Sequence, residues 1–336
     1  MDATKRQVLA AAAVVLVTAV AAFVAAGSGG AGGQAVDRRQ AVEITLPANV
    51  SDEAVLGRPV ALALAADRLY IADALDCAVK AFSKDGRFLG SLGRKGLGPG
   101  ELSFPSGVAA FDEGVAVADK LNFRIQVFDA RGTVCGGFKV PFAPDRVFAL
   151  GGRKLLVTAN PSGRGRGERL LHAFDDGGRQ LWDALEADIS SDPVLDAFRN
   201  MILVCPGEDG DVYVVYRSGR RTILHFSGSG ILTGQIAVDE RHGFKSLDMP
   251  SRRGVVTLTG FCWAAARDRG TFYLSAPEAV DGRDLGPGRT ASVVDGQGRL
   301  RSVVELPCPV HRFLVADGRM FAIDDEGLLR IFEVGR

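Results

Sequence analysis

A 46-residue internal repeat constrains the fold of this chain more than any other sequence feature. The segment ADKLNFRIQVF, residues 118–128, aligns without a gap on ADALDCAVKAF, residues 72–82, and this alignment places Asp119 on Asp73. A period of this length, filled with strand patterns, is typical of β-propellers, in which each repeat forms one blade. The repeat therefore predicts an all-β fold made of similar blades.

Four short strands recur in each repeat, and a glycine turn such as Asp85-Gly86 joins the last two of them. The first two units predict strands at Val60–Ala65, Leu69–Ala72, Val79–Phe82, Phe88–Leu92, Gly107–Phe111, Val115–Ala118, Ile125–Phe128 and Thr133–Phe138. Four more diverged units follow. One covers residues 146–181, two contain the strand patterns at 212–216 and 291–298, and the last begins at His311. The chain thus contains six units.

The last unit lacks a fourth strand. Only four residues follow Phe332, which is too few for a turn and another strand, and an unpaired edge would remain exposed. The early segment Ala41–Leu46 alternates apolar and polar residues as a strand does, and it has no blade of its own. We therefore expect residues 41–46 to complete the last blade. Residues 40–336 would then form a closed six-bladed β-propeller of four-stranded antiparallel blades.

The amino terminus has the pattern of an export segment. Lys5 and Arg6 precede an uncharged apolar run at residues 8–26, about as long as the roughly 20 residues that a membrane-spanning helix needs. Residues 1–26 are therefore predicted to form a hydrophobic helix, either a signal peptide cleaved near Ala26 or a retained signal anchor, which we favour. The preceding positive charges place the propeller outside the cytoplasm. The protein would be a single-pass membrane protein, or periplasmic or secreted after cleavage, with a glycine-rich linker at residues 27–39.

Net charge argues against a nucleic-acid-binding role. Forty basic and forty acidic residues cancel, so the chain has no overall field that would draw it to an anionic polymer. We expect membrane contact through the N-terminal segment and no nucleic-acid partner.

The second unit and the loop before it resemble an NHL repeat. Residues 93–132 contain a glycine-rich loop ending in Glu-Leu, a proline before the first strand, the triplet VAD, and the run NFRIQVFD. The first unit is similar, but Asp76, Cys77 and Ala78 replace the usual N-x-R of this family, and later units keep only the hydrophobic pattern. The resemblance implies a six-bladed propeller that serves as a binding platform. Some relatives of similar shape are lyases or lactonases with metals on the central axis.

The mouth of the channel is the expected binding region. Loops that lead into each inner strand share one face of a propeller with the loops between second and third strands, here called the loop face, and ligands gather at such mouths. An alternative is that the residues at the inner-strand starts only cap those strands. These residues are Arg58, Ser106, Arg146, Asn200, Phe261 and His311.

Arginine-rich loops on the same face predict an anionic ligand. The insertion at residues 161–169 and the loop after residue 216 would form a basic arc opposite acidic residues of the sixth and first units. Planar guanidinium groups bind carboxylate, sulfate or phosphate in a forked geometry, although such loops are also often simply solvated. The predicted binding set is Arg58, Ser106, Arg146, Asn200, His311, Arg164, Arg166, Arg217 and Arg220.

Catalytic and metal signals are weak. No two of the four histidines have a ligand spacing, and no nucleophile elbow occurs, so we predict no catalytic residue, metal or cofactor. Asp73, Asp119 and Asp324 recur at one blade position, which favours a structural hydrogen bond in a turn. Among five cysteines, Cys262 and Cys308 are the candidates for a disulfide.

Two functions follow from these patterns. The first is an extracytoplasmic scaffold that binds a partner protein, an anionic small molecule or a saccharide on the loop face. The alternative is a lactonase-like hydrolase or lyase with an axial site. An enzyme needs polar groups on its inner strands, and these strands, such as VALALA and GVAAF, read as almost wholly apolar. We therefore favour the binding scaffold.

Overall fold

The computed structural model of the protein describes residues 36–47, 51–111, 113–160, 167–190, 192–243, 245–251, 254–280 and 284–335. In these residues six sheets form the blades of a propeller: blades 1 to 4 each have four antiparallel strands in sequential order, whereas the sheets of blades 5 and 6 each include a strand from the early part of the chain. The all-β class and the six-bladed propeller are therefore confirmed. The predicted N-terminal helix at residues 1–26 and most of the linker lie outside the described residues. Among the described residues, no helix has both the length and the apolar character that a bilayer crossing requires.

The blades follow one another along the chain. Blades 1 and 2 match the predicted strands to within two residues at each end, because their period-2 pattern and glycine turns are intact. Blade 1 consists of Pro59–Ala65, Arg68–Asp73, Ala78–Ser83 and Phe88–Leu92, and blade 2 of Pro105–Phe111, Gly114–Asp119, Arg124–Asp129 and Val134–Lys139. Blade 3 consists of Pro144–Ala149, Leu155–Ala159, Arg169–Phe174 and Gln180–Glu186, and blade 4 of Ile202–Pro206, Val212–Tyr216, Thr222–Phe226 and Leu232–Ala237. Blade 5 consists of Ala264–Asp268, Thr271–Ser275, Thr290–Val294 and Leu300–Glu305, and blade 6 of Val310–Ala316, Arg319–Asp324, Leu329–Glu333 and Val42–Glu43.

The hydrophobic core lies between the blades. One apolar cluster fills each of the six interfaces between neighbouring blades. At the interface of blades 6 and 1, for example, Phe321 and Ile331 pack against Leu69 and Phe82, all with 2% exposure or less. Each blade thus buries both faces, which is why its strands contain near-continuous apolar runs.

The ring is closed by residues from the early part of the chain. Val42 and Glu43 pair antiparallel with Glu333 and Phe332, and the Ile44 N–H donates to the Ile331 carbonyl at 2.8 Å. This strand is shorter than the expected segment at residues 41–46. The residues before it form a further strand, Asp37–Gln40, which pairs in parallel with the outer strand of blade 5 and was not predicted.

The glycine-rich loop before blade 2 is built around one carboxylate. Glu101 accepts hydrogen bonds from the N–H groups of Leu97 and Gly98 at 3.1 and 3.0 Å and pairs with Arg94. Gly96 has φ +155, and a Cβ atom there would lie 2.2 Å from the Glu101 carboxylate, so only glycine fits. These contacts explain the glycine-rich motif as a structural loop.

The blade-position aspartates have the structural role that the sequence predicts. Asp73 accepts from the N–H groups of Gly57, Arg58 and Leu75, at 2.6 to 3.1 Å. Asp119 is fully buried and binds Arg124 Nε at 2.8 Å, in the run that resembles an NHL repeat. Such charge-assisted bonds fix the loops before and after each second strand.

Insertions interrupt three connections. The one between blades 3 and 4 contains a short helix, Pro193–Arg199. The long connection inside blade 5, at residues 276–289, contains a hairpin of Glu278–Val280 and Asp284–Gly286. A second hairpin, Lys245–Ser251 with Gly254–Gly260, lies between blades 4 and 5 and was not predicted.

Candidate functional site

A cavity of about 610 Å³ occupies the central channel. All six inner strands contribute to its lining, mainly through their first few residues, for example Val60, Val147 and Phe313. The ends of the second strands, such as Thr158, and the helical connection before blade 4 complete it. Because the inner strands start at the loop face, the cavity lies at that end of the channel. Its volume is in the range of small-molecule sites.

Three arginines from three different blades line this cavity: Arg146, Arg217 and Arg312, here called the arginine triad. Arg146 and Arg312 occupy the same register position in blades 3 and 6, directly after a β-bulge at the start of each inner strand. A bulge redirects a side chain away from the regular alternation of a strand. This shared irregularity explains how two arginines of otherwise apolar strands reach the channel.

Backbone and aromatic contacts position Arg217. Its N–H donates to the Met201 carbonyl at 2.9 Å, and its own carbonyl accepts from Phe261 at 2.8 Å, so the residue links blades 4 and 5. The guanidinium lies over the Trp263 ring, 4.2 Å from its centroid. This cation–π contact orients the charge without neutralising it.

The triad has little compensation within the protein. In the described part of the chain, the Arg217 and Arg312 side chains make no hydrogen bond and no ion pair. Arg146 donates to the carbonyls of Ser106 and Asp145 and lies 3.9 Å from the Asp145 carboxylate. The guanidinium groups therefore face the cavity with most of their donors unused.

The three charges act on one another. Burial, followed by the positive charges of Arg146 and Arg217, lowers the pKa of Arg312 to about 9. Burial also lowers the pKa of Arg217, and the charge of Arg146 adds to this effect. Since every pair in the triad is coupled, the groups share one region of low dielectric constant in which like charges repel strongly.

Two carboxylates in the lining are engaged elsewhere. Asp145 pairs with Lys120 at 3.1 Å; burial would raise its pKa, but Arg146 and Lys120 together hold the pKa below its ordinary value. Asp196, on the short helix, accepts from the N–H and the hydroxyl of Ser190 at 2.8 and 2.6 Å. Neither carboxylate is bonded to Arg217 or Arg312.

His311 adds a neutral group to the site. Burial and the neighbouring Arg312 charge lower its pKa, so the imidazole is uncharged at neutral pH. Its ring lies 5.9 Å from that of Trp263, in a tilted arrangement. The pair gives the cavity an aromatic wall beside the cations.

The structure brings together only part of the predicted binding set. Arg146, Arg217 and His311 line the cavity, whereas Arg58 lies exposed near it with its guanidinium 5.4 Å from the Phe104 ring centroid. Arg220 is exposed and stacks on Tyr216 at 4.6 Å. Arg164 and Arg166, in the third-blade insertion, lie outside the described residues.

Two members of the predicted set have structural roles. The Ser106 hydroxyl donates to the Pro144 carbonyl at 2.8 Å and to the Ala118 carbonyl at 3.3 Å, which ties blade 2 to blade 3. The Asn200 amide binds the backbone of Asp188 and Asp196. Both side chains are buried and fully used, so they fit the strand-capping alternative.

Sequence reasoning missed Arg312, Asp145 and Trp263. The signal for Arg312 was present, because PDRVFA at 144–149 aligns with VHRFLV at 310–315 and places Arg312, not His311, opposite Arg146. The expected disulfide is wrong: all five cysteines are free, and the Cys262 thiol donates to the Ala264 carbonyl. Within the described ranges, no group of three His, Cys, Asp or Glu side chains is arranged to hold a metal ion.

Comparisons with known proteins agree on the fold. A family profile described as a 6-bladed beta-propeller matches residues 44–196. A search of curated protein sequences gives no match. Among solved structures, a Bacteroides fragilis protein whose export is proposed is similar with a TM-score of 0.61 and 12% identity, over 89% of this chain and 99% of that one.

Two further structures are similar over most of their length. Hydrazine synthase from Kuenenia stuttgartiensis has a TM-score of 0.53 and 10% identity, over 86% of this chain and 100% of that one. The WD40 beta-propeller domain of Doa1 has a TM-score of 0.52 and 12% identity, over 88% and 98%. At such low identity these likenesses concern the fold alone, and the function rests on the site.

Proposed function

We propose that this protein is an extracytoplasmic binding propeller that takes an anionic small molecule or saccharide into the loop-face end of its central channel. The observation that carries the proposal is the arginine triad, whose Arg217 and Arg312 side chains have no bonded partner in the described part of the chain. Partly buried cations without counter-ions are costly, and a bound anion reduces that cost. The size of the cavity favours a small ligand over a folded protein partner.

The export pattern of residues 1–26 supports the location. Lys5 and Arg6 precede the apolar run, so the propeller would lie outside the cytoplasm, held by one membrane span or released after cleavage near Ala26. We also propose that the repeats are NHL repeats. Propellers of that family serve as binding platforms, which agrees with a binding function.

A pair of C-terminal reporter fusions tests the location. Alkaline phosphatase fused after Arg336 should be active, because it folds only outside the cytoplasm, and a green fluorescent protein fusion exported in unfolded form should stay dark. The reverse pattern would contradict the proposed location. Mass analysis of the purified fusion would separate a retained anchor from cleavage near Ala26.

Thermal unfolding of the full chain in a non-ionic detergent tests the ligand class. Carboxylates, phosphate and uronic-acid oligosaccharides should raise the midpoint, whereas neutral sugars of the same size should not, because only anions meet the triad. Arg217→Glu should abolish the effect. Arg220→Glu is a matched control, since Arg220 stacks on Tyr216 outside the cavity lining. Equal shifts with neutral and anionic sugars would refute the proposal.

A further inference from the structure

We propose that the ligand carries two negative charges and that the arginine triad selects dianionic oxyanions over monoanions. This inference rests on the proposed function and narrows its ligand class. A dicarboxylate and a phosphate monoester both carry two negative charges on oxygen atoms and are small enough for this cavity, so either could be the ligand class.

The charge count of the cavity wall leads to this number. The lining carries the three guanidinium groups of Arg146, Arg217 and Arg312 and the carboxylates of Asp145 and Asp196. Lys120 pairs with Asp145 from outside the lining at 3.1 Å, so that carboxylate is shared between Lys120 and Arg146 of the triad, and the charge count must include Lys120. With Lys120 included, the site has four positive and two negative formal charges, which leaves an excess of two positive charges.

The arrangement of the donors favours more than one oxyanion contact. The triad comes from blades 3, 4 and 6, so its members approach the cavity from different sides of the channel axis. Arg217 is held by Trp263 and by its backbone bonds, and Arg146 is held by the Ser106 carbonyl. Donors fixed in separate directions bind a ligand with several acceptor oxygens better than one with two.

Arg312 is the member that sets the charge requirement. Its side chain makes no hydrogen bond or ion pair with any described residue, and the charges of Arg146, Arg217, Asp145 and Arg58 act on it. A monoanion bound between Arg146 and Arg217 would leave the positive charge of Arg312 without a counter-ion. A dianion satisfies all three guanidinium groups at once.

Tryptophan fluorescence offers a direct test, because the chain has only two tryptophans. Trp182 is not part of the cavity lining and donates to the Gly228 carbonyl, whereas Trp263 lies in the lining against Arg217. In a Trp182→Phe background, the full chain in detergent and low-chloride Tris buffer at pH 8 would be titrated with acetate, succinate, inorganic phosphate and tricarballylate. Calorimetric titration of the unmodified chain provides a second readout if Trp182→Phe fails to fold.

We expect succinate or phosphate to bind at least about tenfold more tightly than acetate, since a further charged hydrogen bond is worth about that factor. The tighter of the two identifies the source of the dianion. Arg312→Met should reduce the ratio of dianion to monoanion affinity to about one, whereas Arg131→Met, on an exposed turn, should leave it unchanged.

Three results would overturn the inference. Equal affinity for acetate and succinate would remove the dianion selectivity while leaving the proposed anion-binding function intact. An unchanged ratio in Arg312→Met would remove the role of the triad. Binding of no anion by either readout would contradict the proposed function as well.

Discussion

Replacing Arg312 with methionine should make the unliganded protein more stable. Most arginine-to-methionine changes at partly buried positions remove useful bonds. Arg312 makes no hydrogen bond or ion pair with the described residues, and the positive charges of Arg146 and Arg217 lower its pKa. Methionine keeps the length and most of the apolar stem of the side chain while it removes the repelled charge.

The pKa of Arg312 gives the scale of the effect. A displacement from the ordinary value of 12.5 to about 9 corresponds to about 5 kcal/mol of lost preference for the charged form. Water in the open cavity and ions from the buffer screen part of this cost. We therefore expect the free energy of unfolding to rise by about 1–3 kcal/mol and the melting temperature by about 2–6 °C.

The pH dependence follows from the same displacement. A cation whose pKa is lowered on folding destabilises the fold fully below its folded pKa, and this cost declines as pH rises through that value. The stability difference between Arg312→Met and the parent protein should thus be constant near neutral pH and shrink above about pH 9. Added sodium chloride should also shrink it.

Calorimetry or urea unfolding in chloride buffer without oxyanions measures the difference, with Arg131→Met as the control for loss of an exposed arginine. Succinate should then reduce or reverse the difference, because at a given concentration it stabilises the tighter-binding parent by mass action more than it stabilises the variant. If Arg312→Met unfolds at or below the temperature of the parent in chloride alone, repulsion within the triad does not destabilise the protein and the reasoning fails.

Three further predictions concern single groups elsewhere. Bonds from Arg241 lower the pKa of Asp239 to about 2. Asp239→Asn should therefore lower the free energy of unfolding above about pH 4, and this loss should vanish as pH falls to about 2. Equal losses at both pH values in urea unfolding would contradict this. Burial raises the pKa of the Cys205 thiol to about 12, so a disulfide-exchange reagent at pH 8 should label exposed Cys135 and leave native Cys205 unmodified, as peptide mass analysis would show. Ile44→Pro removes an N–H that bonds blade 6 and should lower the melting temperature, whereas Ile44→Val should lower it less; equal effects would show that the lost bond is not the cause.

Strand pattern and period were enough to predict the blades because each blade is a local unit with its own turns. The glycine turns and the recurring Asp73 and Asp119 fix the second and third strands within a few residues. The parallel strand at residues 37–40 was not predictable from local pattern. It reads DRRQ, which has no apolar face, and backbone pairing with a distant strand holds it in place.

The candidate site was only partly predictable, because its residues come from different blades and not from one local unit. Arg146 and Arg217 were recognised from their positions next to strand ends. At the start of the sixth inner strand, however, the sequence analysis chose His311 and not the next residue, Arg312. An alignment of residues 310–315 with 144–149 would have identified Arg312, but the bulge between Val310 and Arg312 that precedes its turn into the channel is visible only in the strand pairing. Contacts such as Arg217 on Trp263 join different blades and leave no local pattern in the sequence.

The two strands at residues 37–43 carry a kinetic consequence. Blades 1 to 4 are each assembled from one contiguous stretch of chain, whereas blades 5 and 6 take an outer strand from far upstream, as the Arg38–Glu305 pair across 267 positions illustrates. Ring closure must therefore wait until the sixth blade has been synthesised, and the search for these distant partners slows it. A circular permutant that carries residues 36–46 after Arg336 would turn this search into a short-range event, and it should refold faster than the natural order of the chain.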